Sequence, residues 1–164
     1  MHPVHEMKNS NIVKLDIDQG GMPDLAVREE IFSIEEKMQQ AIDGKELEEV
    51  DCEEWVKHIF APGVYAREMS IKKGQMIVGK IHKTEHINII SQGDISVKTQ
   101  YGVYRHKAPC SFVSQVGVKR VVFAHEDTVW TTIHPTNETD LKMIEKHVIA
   151  KDYTEIDNLL EDKS

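Results

Sequence analysis

From Gly63 to His134 the chain alternates short runs rich in Val, Ile, Tyr and Thr with turn signals, and this rhythm leaves no room for a long helix. The runs are 64–71, 76–83, 86–91, 95–99, 103–108, 111–116, 120–125 and 128–134. Most are separated by Lys72-Lys73-Gly74, Gln92-Gly93-Asp94, Tyr101-Gly102, Pro109, Gly117 or Glu126-Asp127. Short strands at this spacing predict a mainly β fold, an antiparallel sandwich or barrel.

On both sides of this block the period changes. Residues 1–22 are polar and read as an extended arm with one short strand at 12–17, where Ile12, Lys14 and Asp16 alternate with Val13, Leu15 and Ile17. Asp24 is placed to cap a helix whose Val27, Ile31, Ile34, Met38 and Ile42 form one apolar stripe, and Gly44 ends it as a C′ residue. A second helix is expected over 45–60, with Leu47, Val50, Trp55 and Ile59, stopping before Pro62. After the strands, 137–150 reads as a helix capped by Asn137, with Leu141, Ile144 and Val148 on its buried face. The acidic tail 151–164 is expected to fray, with Ile156, Leu159 and Leu160 available to dock. The expected organisation is an N-terminal arm and helical extension (1–60), a β barrel (61–135) and a C-terminal helix with its tail (136–164).

Charge narrows the classes of function. The 164 residues carry 20 basic and 28 acidic side chains, a net charge of −8. Residues 61–150 run against that balance, with 12 basic and 8 acidic side chains. The acidic flanks argue against general nucleic-acid binding, which needs an unopposed basic face, whereas a locally basic core suits a small anionic ligand. No apolar run is long enough to span a membrane as a helix. The start, Met-His-Pro-Val-His-Glu, lacks the pattern of a secretory leader. Cys52 and Cys110 have no motif spacing, which excludes a disulfide scaffold and a cysteine zinc cage and fits a reducing cytoplasm. Cys110 follows Pro109 with no base in view, so it is not expected to act as a nucleophile.

Two stretches carry a family resemblance. Gly74–Gly93 reads GQMIVGKIHKTEHINIISQG and Val116–His134 reads VGVKRVVFAHEDTVWTTIH. Together they resemble the two signature motifs of the cupin superfamily, over 63–134. The helical N-terminal arm and the His-Glu-Asp-Thr-Val-Trp segment also resemble small cupin-like proteins encoded by tailed phages. The resemblance implies a cupin-type double-sheet (jelly-roll) antiparallel barrel with N-terminal helices and a C-terminal helix. It also implies a homodimer built through the N-terminal extension. Aligned on Gly93 and Gly117, the four positions at which the motifs usually place metal ligands hold Lys80, His82, His86 and Arg120, and the motif proline is Gln115.

Lysine and arginine are cations at neutral pH and repel a metal. The same four residues would line an anion site, where arginine grips a phosphate or carboxylate through two parallel hydrogen bonds. Lys80 and His82, two apart on one strand, are expected to share a face. The leading expectation is therefore a binding protein for a small anionic molecule, nucleotide-like or a sugar phosphate, at roughly micromolar affinity. In a phage-encoded protein its role would be to sequester a host signalling nucleotide or alter host metabolism. One rival is a cupin oxygenase or isomerase with a divalent metal on His82, His86 and a third histidine, His125 or His134. Another is a virion structural or interaction protein that docks through its acidic helices. His125 with Asp127 is a candidate general-base dyad, and Glu126-Asp127 is otherwise a turn cap. Trp130 and Phe123 are expected core aromatics, and Tyr65, Tyr101 and Tyr104 are candidates to stack on a ligand ring.

Overall fold

The computed structural model describes residues 23–49 and 51–163. The strand expected at 12–17 lies outside them. Helix α1 (Leu25–Asp43) starts where the Asp24 carboxylate accepts the Ala26 N–H at 3.0 Å. Its apolar stripe faces inward, with Ile31 fully buried. The helix ends at Gly44, but Gly44 is right-handed (φ −77°), and the left-handed residue is Lys45 at φ 60°.

The second helix does not form. A 3-10 turn (Cys52–Trp55) leads into strand β1 (Val56–Ala61), which runs antiparallel to β2 (Val64–Ile71) with Val56 opposite Met69 and Ala61 opposite Val64. Pro62-Gly63, with Gly63 at φ 77°, is the hairpin turn between them and not a helix stop. The pairing with β2 overrides the helical spacing of Leu47, Val50, Trp55 and Ile59.

The expected strand at 76–83 also divides. β3 (Met76–Val78) ends at Gly79, and β4 (Ile81–His82) leaves that sheet to pair with β11 (Ile149–Ala150). The remaining strands fall close to expectation: β5 (His86–Gln92), β6 (Asp94–Thr99), β7 (Gly102–Lys107), β8 (Cys110–Ser114), β9 (Val121–Ala124) and β10 (Thr128–Pro135). The C-terminal helix is shorter than expected. α2 (Leu141–Val148) is capped by Asp140, not Asn137, through Asp140 Oδ1 accepting the Lys142 and Met143 N–H groups. The tail forms α3 (Tyr153–Glu161), docked through buried Ile156 against Ile81 and Ala150.

Two antiparallel sheets result, ordered β1-β2-β10-β5-β8 and β3-β9-β6-β7, with the β4–β11 ribbon apart from both. They enclose a core in which Ile71, Ile90 and Trp130 of the first sheet meet Ile95, Val97 and Val122 of the second. The sheets face each other but are not hydrogen-bonded into a closed barrel. The break at Gly79 sends β4 to the C-terminal segment instead of continuing the second sheet.

Candidate functional site

Cross-strand register assembles the site. On the inner face of the five-stranded sheet, Tyr65 of β2 lies opposite His134 of β10, and His86 of β5 lies opposite Ser114 of β8. Because Ile133 pairs with Ile87, the neighbouring His134 and His86 fall side by side, with ring centroids 4.8 Å apart. The next inward row sets Arg67 opposite Thr132 and Thr132 opposite Asn88. His82, on β4, completes a histidine triangle, 4.4 Å from His86 and 6.1 Å from His134.

Arg120, just before β9, is buried beside these rings. Its Nη2 donates to Ser114 Oγ, and its guanidinium carbon lies 5.5 Å from the centre of the Trp130 ring. Asn88 ties the network together, with Oδ1 accepting from Trp130 Nε1 at 3.0 Å and Nδ2 donating to Ser114 Oγ at 2.7 Å. Replacing Asn88 by Ala would leave the Trp130 N–H without its partner beside a new void. The expected loss is about 2–4 kcal/mol of stability, read from the urea midpoint. A loss under about 1 kcal/mol would mean the network is dispensable.

A cavity of about 450 Å³ opens against this cluster, lined by Tyr65, Arg67, His82, Arg120, Trp130 and His134 among others. All three triangle histidines are held neutral. Burial, reinforced by Arg120, pushes His86 down to about 3. Burial with Arg67 and Arg120 pushes His134 down to about 4. Burial also pushes His82 well below the ordinary histidine range, helped by His86 and Arg120. His86 Nδ1 lies 3.0 Å from the Thr84 carbonyl, which assigns the proton to Nδ1 and the lone pair to Nε2. Among the described residues, His82 Nδ1, His86 Nε2 and His134 Nδ1 are buried without a hydrogen-bond partner.

Of the residues expected to converge, His82, His86 and Arg120 do so. Lys80 does not enter the cluster. It sits past the Gly79 break, its side chain 66% exposed at the cavity rim, and pairs with Glu145 of α2. The shared face expected for Lys80 and His82 needed a continuous strand. His134 joins the cluster. His125 directly follows β9 and bonds Ser96 Oγ through Nε2 at 2.7 Å, while Asp127 accepts the Lys73 N–H at 2.9 Å, so these two do not form a dyad. Phe123 is not a core aromatic; it is exposed and meets His125 edge-on at 5.0 Å. Burial pushes the Cys110 thiol up, away from nucleophilic use. Arg67, Asn88 and Ser114 escaped sequence reasoning. The signal that could have found Arg67 is the alternation Tyr65, Arg67, Met69, which matches Trp130, Thr132, His134.

The residues can be tested against the metal that the cupin resemblance implies. Among the described residues, no three His, Cys, Asp or Glu side chains are arranged to hold a metal ion. The donors at hand are three imidazoles pressed against a guanidinium, whose charge opposes a cation as it opposes ring protonation. The cluster as arranged does not fit a resident metal.

The sheet order, with β10 between β2 and β5 and β9 between β3 and β6, joins strands far apart in the chain. No family model matches the chain, and no curated protein does. Similar solved structures include a cupin-2 domain protein from Shewanella frigidimarina (13% identity, 49% of this chain and 79% of that one, TM-score 0.42). Others are an ectoine synthase from P. lautus (10%, 63% and 88%, 0.47) and an acetylacetone dioxygenase from Acinetobacter johnsonii (14%, 53% and 64%, 0.43). None of the described helices is long and apolar enough to cross a membrane.

Proposed function

We propose that this chain binds a small organic anion at the Arg120 end of its cavity. One observation carries the reading: Arg120, buried beside the histidine rings, and Arg67 both line the cavity and give it a positive field. The same positive field in a partly dry space attracts a negative ligand. Arg120 supplies a planar guanidinium, and the rings of His82 and His134 line the cavity with it. Nucleotide-like and sugar-phosphate compounds belong to this ligand class. A phage-encoded protein would use such a cavity to withdraw a host signalling nucleotide or to alter host metabolism.

The test is mass spectrometry of whatever copurifies, followed by calorimetric titration of that class. Wild type is expected to bind at roughly micromolar affinity, and Arg120→Met to lose at least about ten-fold. Arg67→Gln, at a half-exposed position, is the control against misfolding and is expected to weaken binding less. Equal binding by wild type and Arg120→Met would overturn the reading. Stoichiometric metal that disappears in His82→Ala would favour a metal-dependent enzyme instead.

A further inference from the structure

The cavity lining is chemically mixed. Arg120, His82 and His134 supply polar groups. Ile77, Val78 and Val122 from the second sheet, with Leu141, Ile144 and Val148 from α2, supply an apolar wall. We infer that the anion taken here is a monocarboxylate with an apolar, aromatic or branched aliphatic body, and not a phosphate ester. This rests on the proposed anion site and narrows its ligand class, taking nucleotides out of it.

Three observations support the choice. The first is charge. Histidines aside, the lining carries Arg67, Lys80 and Arg120 against Glu53 and Glu145, one positive charge in excess. That balance suits a single negative charge. A doubly charged phosphate would face the two carboxylates, which already engage the outer cations: Glu145 pairs with Lys80, and Glu53 lies 3.8 Å from Arg67. The second is the wall. A ribose or sugar ring seated against Ile77, Val122 and Ile144 would give up hydrogen bonds to water and find no replacement there, whereas an apolar body gains from the same contact. The third is Trp130. Its buried indole lines the cavity with the Arg120 guanidinium over its ring, so apolar aromatic surface and the cation that would meet a carboxylate lie side by side.

The experiment is calorimetric titration of the full chain at pH 7 with phenylacetate, octanoate, 2-phenylethanol, inorganic phosphate and adenosine monophosphate. At least one of the two carboxylates is expected to bind about ten-fold or more tightly than either phosphate compound, and phenylacetate to exceed its neutral analogue. Leu141→Ser, a substitution at an exposed helix position that leaves the core intact, is expected to weaken carboxylate binding about three-fold or more. Tighter binding of adenosine monophosphate than of both carboxylates would overturn this inference and leave the anion site standing. Binding of 2-phenylethanol as tight as phenylacetate, or no binding by any of the four anions, would remove the anion site itself.

Discussion

Acidifying the protein from pH 7 to pH 5 should destabilise it by about 4 kcal/mol through His86 and His134 alone, a sizeable share of a typical domain's stability. Both side chains titrate near the ordinary 6.5 when unfolded but only at about 3 and about 4 when folded. Between those values the unfolded chain binds more protons than the folded one, so protons pull the equilibrium toward unfolding. Stability is therefore complete above pH 6.5 and falls as pH drops toward 4. His82, lowered by burial and by His86 and Arg120, adds to the loss. So does His106, lowered by burial and then Arg120, its ring stacked on Phe112 at 4.2 Å. Carboxylates held below their usual range, such as Asp127 beside the Lys73 N–H, give up stability only in more acid solution, so the loss between pH 6.5 and 5 belongs to the histidines. Urea melts at half-unit pH steps measure it. His134→Gln should flatten the slope by about a quarter. A wild-type midpoint unchanged between pH 7 and 5 would refute the buried neutral cluster.

The second large effect is at Gly93, the glycine on which the first motif was aligned. It joins β5 to β6, and hence one sheet to the other, at φ 99°, a conformation that side chains rarely adopt. A Cβ there would overlap Thr128 Oγ1 and come within 2.6 Å of the Asp127 carbonyl oxygen and of Thr128 Cα. Two of these three atoms are backbone, held in the turn that starts β10. Gly93→Ala is therefore expected to cost about 3–5 kcal/mol, combining backbone strain with overlap that cannot relax. Gly117 makes the comparison. It is also left-handed, at φ 84°, but its Cβ would meet only the Ile156 side chain at 3.1 Å, which can shift. Its alanine variant should lose about 1–2 kcal/mol. Equal losses in the two variants would mean that conformation alone, and not the crowded turn, fixes the glycine.

A linear reading reaches some features of this fold and not others. Strands β5 to β10 were legible because each is bounded by residues that must turn and filled by residues that suit a pleated surface. The stretch 45–60 was not. Leu47, Val50, Trp55 and Ile59 recur at intervals close to a helical repeat, and only the partner strand Val64–Ile71 decides that Val56–Ala61 is extended. Histidines 82 and 86 and Arg120 were found because motif glycines fix their positions by counting. His134 was legible as a same-face neighbour of Trp130. Arg67, Asn88 and Ser114 were not, because what brings them together is which residue sits opposite which across four strands, and that register is not written in any one strand. Lys80 reaches the cavity only at its exposed rim, for a local reason. One glycine ended the strand on which the alternation rule depended.

The position of α2 has a consequence for any molecule that enters the cavity. One side of the cavity comes from the last quarter of the chain. It is held in place by the Ile149–His82 pairing, by the Lys83 N–H donating to the Val148 carbonyl at 2.8 Å, and by the Lys80–Glu145 pair. A molecule inside touches both the two-sheet body and this strap. A molecule bound there would fasten α2 to the sheets, so its binding and the retention of the C-terminal segment would be a single equilibrium read at two places.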